Sequence, residues 1–288
     1  MSSFPLGRAA RVVATGGGFA LFWAGGASLS WVVLPALRRH GGQTGLERQQ
    51  GQALFQRGFS IFHSYLLWLR LVDIDLPSEH RRLPDGPFVM IANHPSLVDV
   101  TALLAFCPSL ACVVKGGIYQ GKLVRPLLEL CGHIDGGGDG PLSAATVAVD
   151  ALARLAEGQP VLVFPEGTRS PAWGLRPFQA GAFEVARRAQ VPLVPLFLTC
   201  DPPILTKEQP WHEMPPHPAR LRLSWLEPDE PFIVPQGDSR TLARDFRQRY
   251  HERCAQWLRE REASGKVLFQ VGQDEKRSLR DRGERAGW

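Results

Sequence analysis

Between residues 87 and 198 short apolar runs alternate with helical patterns, and this alternation constrains the fold more than any other feature of the chain. The runs are PFVMIAN (87–93), LACVVK (110–115), GHID (132–135), PVLVFPEG (160–167) and VPLVPLFL (191–198). Between them lie VDVTALLAF, KLVRPLLELCG, PLSAATVAVDALARLAEG and GAFEVARRAQ, which read as helices; Pro141 suits a first helical position and Gly158 a stop. Strand–helix alternation implies an α/β fold with a largely parallel or mixed sheet flanked by helices. Beyond Thr199 the pattern loosens. CDPPILTKEQPWHEMPPHPAR is a proline-rich loop, LRLSWLE an edge or late strand, and SRTLARDFRQRYHERCAQWLRERE a helix with Leu242, Phe246, Tyr250, Cys254 and Trp257 on one stripe.

The first forty residues depart from this plan. From Val12 to Leu37 there is no charge, long enough to cross a hydrocarbon core that needs about 20 apolar residues. Arg8 and Arg11 precede the stretch and Arg38, Arg39 and His40 follow it. A retained membrane segment is the expectation. A cleaved signal peptide is disfavoured by the length and by the lack of a small-residue cleavage site, and an interfacial hairpin that never crosses also fits. Leu54, Phe55, Phe59, Phe62, Leu66, Leu67 and Leu69 then recur at spacings of three and four, with Arg57 and Arg70 interspersed. That is an amphipathic helix, packed on the core or laid on a bilayer. The expected division is a membrane segment (1–40), an amphipathic helix (41–78), an α/β domain (79–262) and a charged tail (263–288).

Composition narrows the function. With 44% hydrophobic and 21% charged residues in 288, the chain is globular. Its net charge of +5 is mild and suits an anionic surface or substrate. No basic stripe interleaved with aromatics or reading motif points to nucleic acid. Five scattered cysteines form no CxxC pair, so neither a disulfide framework nor a metal site is expected. No GxSxG elbow supports a serine hydrolase.

The chemistry-bearing residues lie after two of the apolar runs, where α/β folds collect their sites. In NHPSLVD, His94 leaves the first run and Asp99 follows five positions later. On a helix that spacing is displaced by roughly 140°, so the chain must turn for the carboxylate to reach the imidazole. An aspartate on one ring nitrogen fixes the tautomer and supports proton uptake at the other. Such a pair is a general base with no nucleophile of its own, suited to activating a substrate hydroxyl. In FPEGTRS (164–170), Gly167 permits a tight loop, Arg169 offers a fork for phosphate, and Glu166 can accept from hydroxyls or orient that arginine.

NHPSLVD followed by FPEGTRS resembles the glycerolipid acyltransferase family, typified by 1-acylglycerol-3-phosphate acyltransferases, over about residues 87–198. The resemblance implies that His94 deprotonates an acceptor hydroxyl, which attacks the thioester of acyl-CoA or acyl-carrier protein as co-substrate. Asp99 would hold His94, and Glu166, Gly167, Thr168 and Arg169 would bind the acceptor and its phosphate. It further implies a membrane-associated enzyme of phospholipid synthesis, with a lysophospholipid acceptor, no cofactor or metal, and a catalytic domain on the cytoplasmic side of the inner membrane. One departure stands out. The family has an intervening block that ends in a phosphate-holding arginine; here the block is CGHIDGGGDG and that position is Gly136. Lys115, or the amides of Gly136–Gly138 acting as a nest, are the expected replacements. Otherwise the acceptor differs: the flanking sequences are also similar to acyltransferases of aryl-polyene pigment synthesis. His133 is read as structural. The expectation from another class is a non-catalytic lipid-binding scaffold, which predicts indifference to His94.

Overall fold

The computed structural model describes residues 7–35, 44–77, 83–107, 109–138 and 140–265. The basic cluster at 38–40 and the charged tail from 266 lie outside the described residues.

The chain begins with helix α1 (Arg8–Ser28), continued by one π-helical turn (Leu29–Val33), and then α2 (Thr44–Trp68). There follow β1 (Val72–Asp75), β2 (Val89–Ala92), α3 (Asp99–Phe106), β3 (Ala111–Val114), α4 (Gly116–Tyr119), α5 (Arg125–Leu130) and β4 (Ile134–Asp135). The remainder is α6 (Pro141–Ala156), β5 (Val161–Val163), α7 (Gly181–Ala189), β6 (Leu193–Asp201), β7 (Ala219–Trp225) and α8 (Ser239–Ala263). The seven strands form one sheet in the order β1-β7-β6-β2-β5-β3-β4. Every pairing is parallel except β6 with β7.

The centre of the sheet follows directly from sequence. β2 lies between β5 and β6, and Val89, Met90, Ile91 and Ala92 are all 0% exposed. A strand covered on both faces reads as a continuous apolar run rather than an alternation. Met90 and Ala92 face one layer, with α3 and the inner side of α2; Val89 and Ile91 face the other, with α6, α7 and α8. Tyr250 of α8 is fully buried, its hydroxyl 3.0 Å from the Ile91 carbonyl and 2.9 Å from that of Leu196. The C-terminal helix is thereby fixed to the two strands that deliver the site.

The N-terminal helices pack antiparallel. The Tyr65 hydroxyl donates to the Ala14 carbonyl at 2.7 Å, and Phe22 packs on Phe59 and Phe62. A Cβ at Gly17 would lie 2.5 Å from the Tyr65 oxygen, so glycine is required for this approach. Phe59 and Leu66 carry α2 into the main core, while α1 leaves Val13 and Trp23, and the π-helical turn Trp31 and Val32, exposed. Ala9–Val33 is long and apolar enough to cross a membrane.

Two expectations are corrected. The amphipathic helix expected to residue 78 stops at Trp68, and Val72–Asp75 is an unforeseen strand. The helix closes with Leu71 N donating to Leu66 O (2.8 Å) and Arg70 N to Leu67 O (2.9 Å) around Arg70 at φ 53°. This is the usual left-handed helix stop, here made without the glycine that signals it in sequence. The second follows from the first: of the edge or late strand expected from LRLSWLE, β7 is the late one, last in sequence, and not an edge, because β1 covers it in parallel register. Asp73 and Asp75 pair with Arg220 and Arg222 across that register. These exposed pairs add little stability, but charge on the outer strand discourages pairing with another chain.

Buried His133 and part-buried His63 give the fold an acid-sensitive stability. Burial lowers the His133 pKa to about 4, and that of His63 likewise to about 4. His133 Nδ1 accepts from Cys112 N at 3.0 Å. The Thr101 hydroxyl donates to the Val98 carbonyl, so His63 Nε2–H is the donor to Thr101 Oγ1 at 2.9 Å. The His133 bond needs a neutral ring, because its Nδ1 accepts, while for His63 it is burial alone that disfavours the charged ring. The unfolded chain takes up these protons near pH 6.5, the folded chain only near pH 4, so stability falls as pH drops through that window. His133 alone accounts for about 3 kcal/mol. Denaturant titrations from pH 7 to 4 should show this loss, reduced in His133→Gln; a flat profile would contradict it.

Candidate active site

The site is assembled at the C-terminal ends of β2, β5 and β6. Asn93 ends β2 with a side chain that imitates a strand partner. Its Nδ2 donates to the Leu198 carbonyl and its Oδ1 accepts from Leu198 N, both at 2.8 Å. The next residue, His94, therefore starts from a fixed point. Its N–H is shared between Ser170 Oγ at 3.1 Å and Glu166 Oε1 at 3.2 Å, and its carbonyl accepts from Ser170 N at 2.7 Å. The His94 main chain is thus bound to FPEGTRS, 70 residues away in sequence at the nearest, with β3 and β4 between them in the chain.

The turn inferred from the spacing is present. After Pro95, Ser96 N donates to Asp99 Oδ2 at 2.9 Å, and Val98 N donates to Ser96 Oγ at 3.3 Å. Asp99 opens α3, where the helix N-terminus favours a carboxylate. It is 0% exposed, and its Oδ1 lies 2.8 Å from His94 Nδ1. Phe164 stacks on the imidazole with centroids 4.1 Å apart and planes at 17°. The carboxylate stands against one ring nitrogen and Phe164 against one face, and Asp99 leaves Nε2 unengaged. The His94 side chain keeps 14% exposure, which gives an otherwise enclosed base access to a reactant.

Glu166 accepts from a hydroxyl, one of the two roles read for it, and that hydroxyl belongs to Ser170 of its own loop. Glu166 is 4% exposed, and both oxygens face protein donors. Besides His94 N, Oε1 accepts from the Ser170 hydroxyl, and Oε2 accepts from Arg176 N at 2.7 Å. Burial pushes its pKa up, and the hydrogen bonds from Ser170, Arg176 and His94 oppose that rise. Its contacts lock the loop against His94. Gly167, at φ +67°, is the residue that allows the tight turn, with Gln179 Nε2 2.9 Å from where a Cβ would sit. Thr168 is partly exposed on the same loop. Arg169 Nη1 donates to the carbonyls of Leu205 (2.6 Å) and Thr206 (2.9 Å). Burial lowers its pKa, against the charges of Asp99 and Glu208. Arg169 is thus a fixed charge that also ties the proline-rich loop to the site.

Lys115 lies apart from this cluster, exposed at the end of β3 and separated from β2 by β5. The suggested nest at Gly136–Gly138 is corrected. Gly136 N donates to Val114 O (2.7 Å) and Gly137 N to Asp135 Oδ1 (2.9 Å), so two of its amides are already used. Asp135 also places a carboxylate there. His133 is a buried structural residue, as expected. Among the described residues no group of His, Cys, Asp and Glu is placed to hold a metal. Sequence reasoning missed Phe164, Asn93, Ser96, Ser170 and Arg176. Only the position of Asn93 and Phe164 at strand ends hinted at them.

Comparison with known proteins agrees with this geometry. A family model described as "Acyltransferase" matches residues 76–199. A chloroplastic 1-acyl-sn-glycerol-3-phosphate acyltransferase of Brassica napus is 31% identical over 158 residues, covering 50% of this chain and 44% of that protein. The human 1-acyl-sn-glycerol-3-phosphate acyltransferase beta is 33% identical over 167 residues, covering 57% of this chain and 56% of its own. The chain thus spans about half the length of the curated relatives it matches. The crystal structure of the 1-acyl-sn-glycerophosphate acyltransferase PlsC from Thermotoga maritima superimposes with a TM-score of 0.65 at 18% identity, covering 86% of this chain and 97% of that one. At that identity the likeness is one of fold. The HPSLVD turn and the FPEGTRS loop both fall inside residues 76–199, the segment that is similar to the acyltransferase family.

Proposed function

We propose that the chain is a membrane-associated O-acyltransferase that moves an acyl group from a thioester, acyl-CoA or acyl-carrier protein, to the free hydroxyl of a lysophospholipid. The favoured acceptor is 1-acyl-glycerol-3-phosphate, giving phosphatidate. The observation that carries the reading is the 2.8 Å approach of buried Asp99 to His94 Nδ1, with Nε2 left unengaged. Nε2 takes the acceptor's hydroxyl proton as the oxygen attacks the thioester carbonyl. The tetrahedral intermediate collapses, the carbon–sulfur bond breaks, and the imidazolium returns its proton to the leaving thiolate. Asp99 holds the tautomer this requires.

Arg169, anchored at Nη1, supplies fixed positive charge beside the pair for an acceptor phosphate, and Lys115 a mobile one across β5. The exposed apolar side chains of α1, with Ile61, Leu67 and Trp68 of α2, form the bilayer-facing surface. The orientation proposed is on the cytoplasmic side of the inner membrane.

The test uses membranes containing the wild type or His94→Asn, a labelled acyl thioester, and a panel of lysophosphatidate, other lysophospholipids and a non-phosphorylated lipid alcohol. His94-dependent product from lysophosphatidate is the expected result. Product from the lipid alcohol alone would keep the chemistry and replace the acceptor, a reading that Asp135 and Gly136 at the end of β4 favour. No His94-dependent product from any acceptor would leave the scaffold reading.

A further inference from the structure

One charged patch on α8 has no part in the acyl-transfer chemistry above. Arg240, Arg244 and Arg247 fall at i, i+4 and i+7, so a single stripe of the helix presents three exposed guanidiniums. They line an open cavity of about 610 Å³ whose facing wall includes Phe178. Like charges at this spacing destabilise a helix, so the stripe is a cost unless an anion meets it. Among the described residues the ion pairs of α8 involve Arg249 and Arg261, not these three. Arg244 Nη2 donates to a neutral partner, the Thr241 hydroxyl, at 3.2 Å. Asp238, the carboxylate in the lining, caps the helix, accepting from Thr241 N at 2.9 Å and from its hydroxyl at 3.2 Å, and it also meets the charge of Arg240, which leaves Arg244 and Arg247 without a carboxylate partner among the described residues.

The cavity is coupled to the site. Phe178 packs edge-on to Tyr250 at 5.2 Å, and Tyr250 is the residue bonded to β2 and β6. Gln179 N donates to the Pro165 carbonyl at 2.8 Å, and Phe164, one residue before, lies on the His94 ring. The groove therefore sits behind the loop whose other side holds the base. Its volume is in the range of small-molecule sites. Three guanidinium forks match phosphate oxygens pairwise, and an aromatic ring offers a surface to a base.

We propose that this groove binds the phosphorylated nucleotide end of an acyl-coenzyme A donor, phosphates on Arg240, Arg244 and Arg247 and base against Phe178. This rests on the acyl-transfer reading and adds the donor class to it. Phe178 in the lining, a ring on which a base can stack, is what favours a nucleotide over the acidic surface of a carrier protein.

The experiment is calorimetric titration of the full chain in detergent with coenzyme A and with adenosine 3′,5′-bisphosphate, for the wild type and Arg244→Gln/Arg247→Gln. The expected result is binding by the wild type, weakened at least tenfold in the variant for both ligands. In kinetics, the variant's KM should rise at least tenfold for acyl-CoA with kcat unchanged. The KM for an acyl N-acetylcysteamine thioester, which lacks the nucleotide, should not move. Equal binding by the two proteins, or none by the wild type, overturns the proposal. A raised KM for acyl-carrier protein with coenzyme A binding unchanged also overturns it and makes the groove a protein dock. Groove-dependent binding without any acyl transfer would uphold the groove while refuting the acyl-transfer reading.

Discussion

Replacing His94 by asparagine should lower acyl transfer by about 10²–10⁴-fold, the usual contribution of a general base, in a protein that still folds. Asparagine is the informative choice. Its amide nitrogen can stand near the position of Nδ1 and donate to Asp99 Oδ1, which in the wild type lies 2.8 Å from that nitrogen. The buried carboxylate then keeps a partner, whereas alanine would leave it with the Ser96 amide as its main donor. Stranding a buried charge costs about 3–5 kcal/mol, and lost activity in His94→Ala would be confounded with lost structure. Single-turnover rates alongside a thermal melt separate the two. Near-wild-type turnover by a folded His94→Asn protein would end the general-base mechanism.

The second large effect is expected from Asp99→Asn, and its reasoning depends on Ser96. Ser96 N donates to Asp99 Oδ2 at 2.9 Å, so an amide at position 99 must turn its oxygen toward Ser96. Its NH₂ then faces His94 Nδ1 and makes that nitrogen an acceptor. The proton is driven to Nε2, the nitrogen that must be free to receive one. The loss should be on the order of 10⁴-fold, the scale known when a carboxylate that orients a catalytic histidine becomes an amide, with little change in thermal stability. The check is kcat/KM across pH with the melt measured in parallel. A loss below tenfold would mean that Asp99 does not set the tautomer and is there to hold the turn.

His94 and Asp99 are visible in the sequence, but only the fold supplies their geometry. The strand–helix alternation and the all-apolar run of β2 were legible because a doubly covered strand leaves no room for polar residues. His94 and Asp99 were legible as a pair because Pro95 and a five-residue spacing exclude a single helical face. β1 was not legible. Its four residues follow a long helix that stops at Arg70 in a left-handed conformation, and only the tertiary pairing with β7 makes them a strand. Glu166 could be read as important but not as buried. Its role depends on an amide from Arg176, ten residues later, and on the His94 amide, 72 residues earlier.

What the sequence by itself determined is the class of fold, the order of the motifs and the pairing of an imidazole with a carboxylate. Each rests on local chemistry: period of apolarity, turn-forming residues, a titratable ring beside a carboxylate. What only the tertiary structure decided is which groups are held and which are free. Phe164 lies on the imidazole, the Gly136 and Gly137 amides are already used, Arg169 is tied to Leu205 and Thr206, and the arginines of α8 face an open groove. These are contacts between segments far apart in the chain, set by how strands order themselves in the sheet, and no local pattern of residues encodes that order.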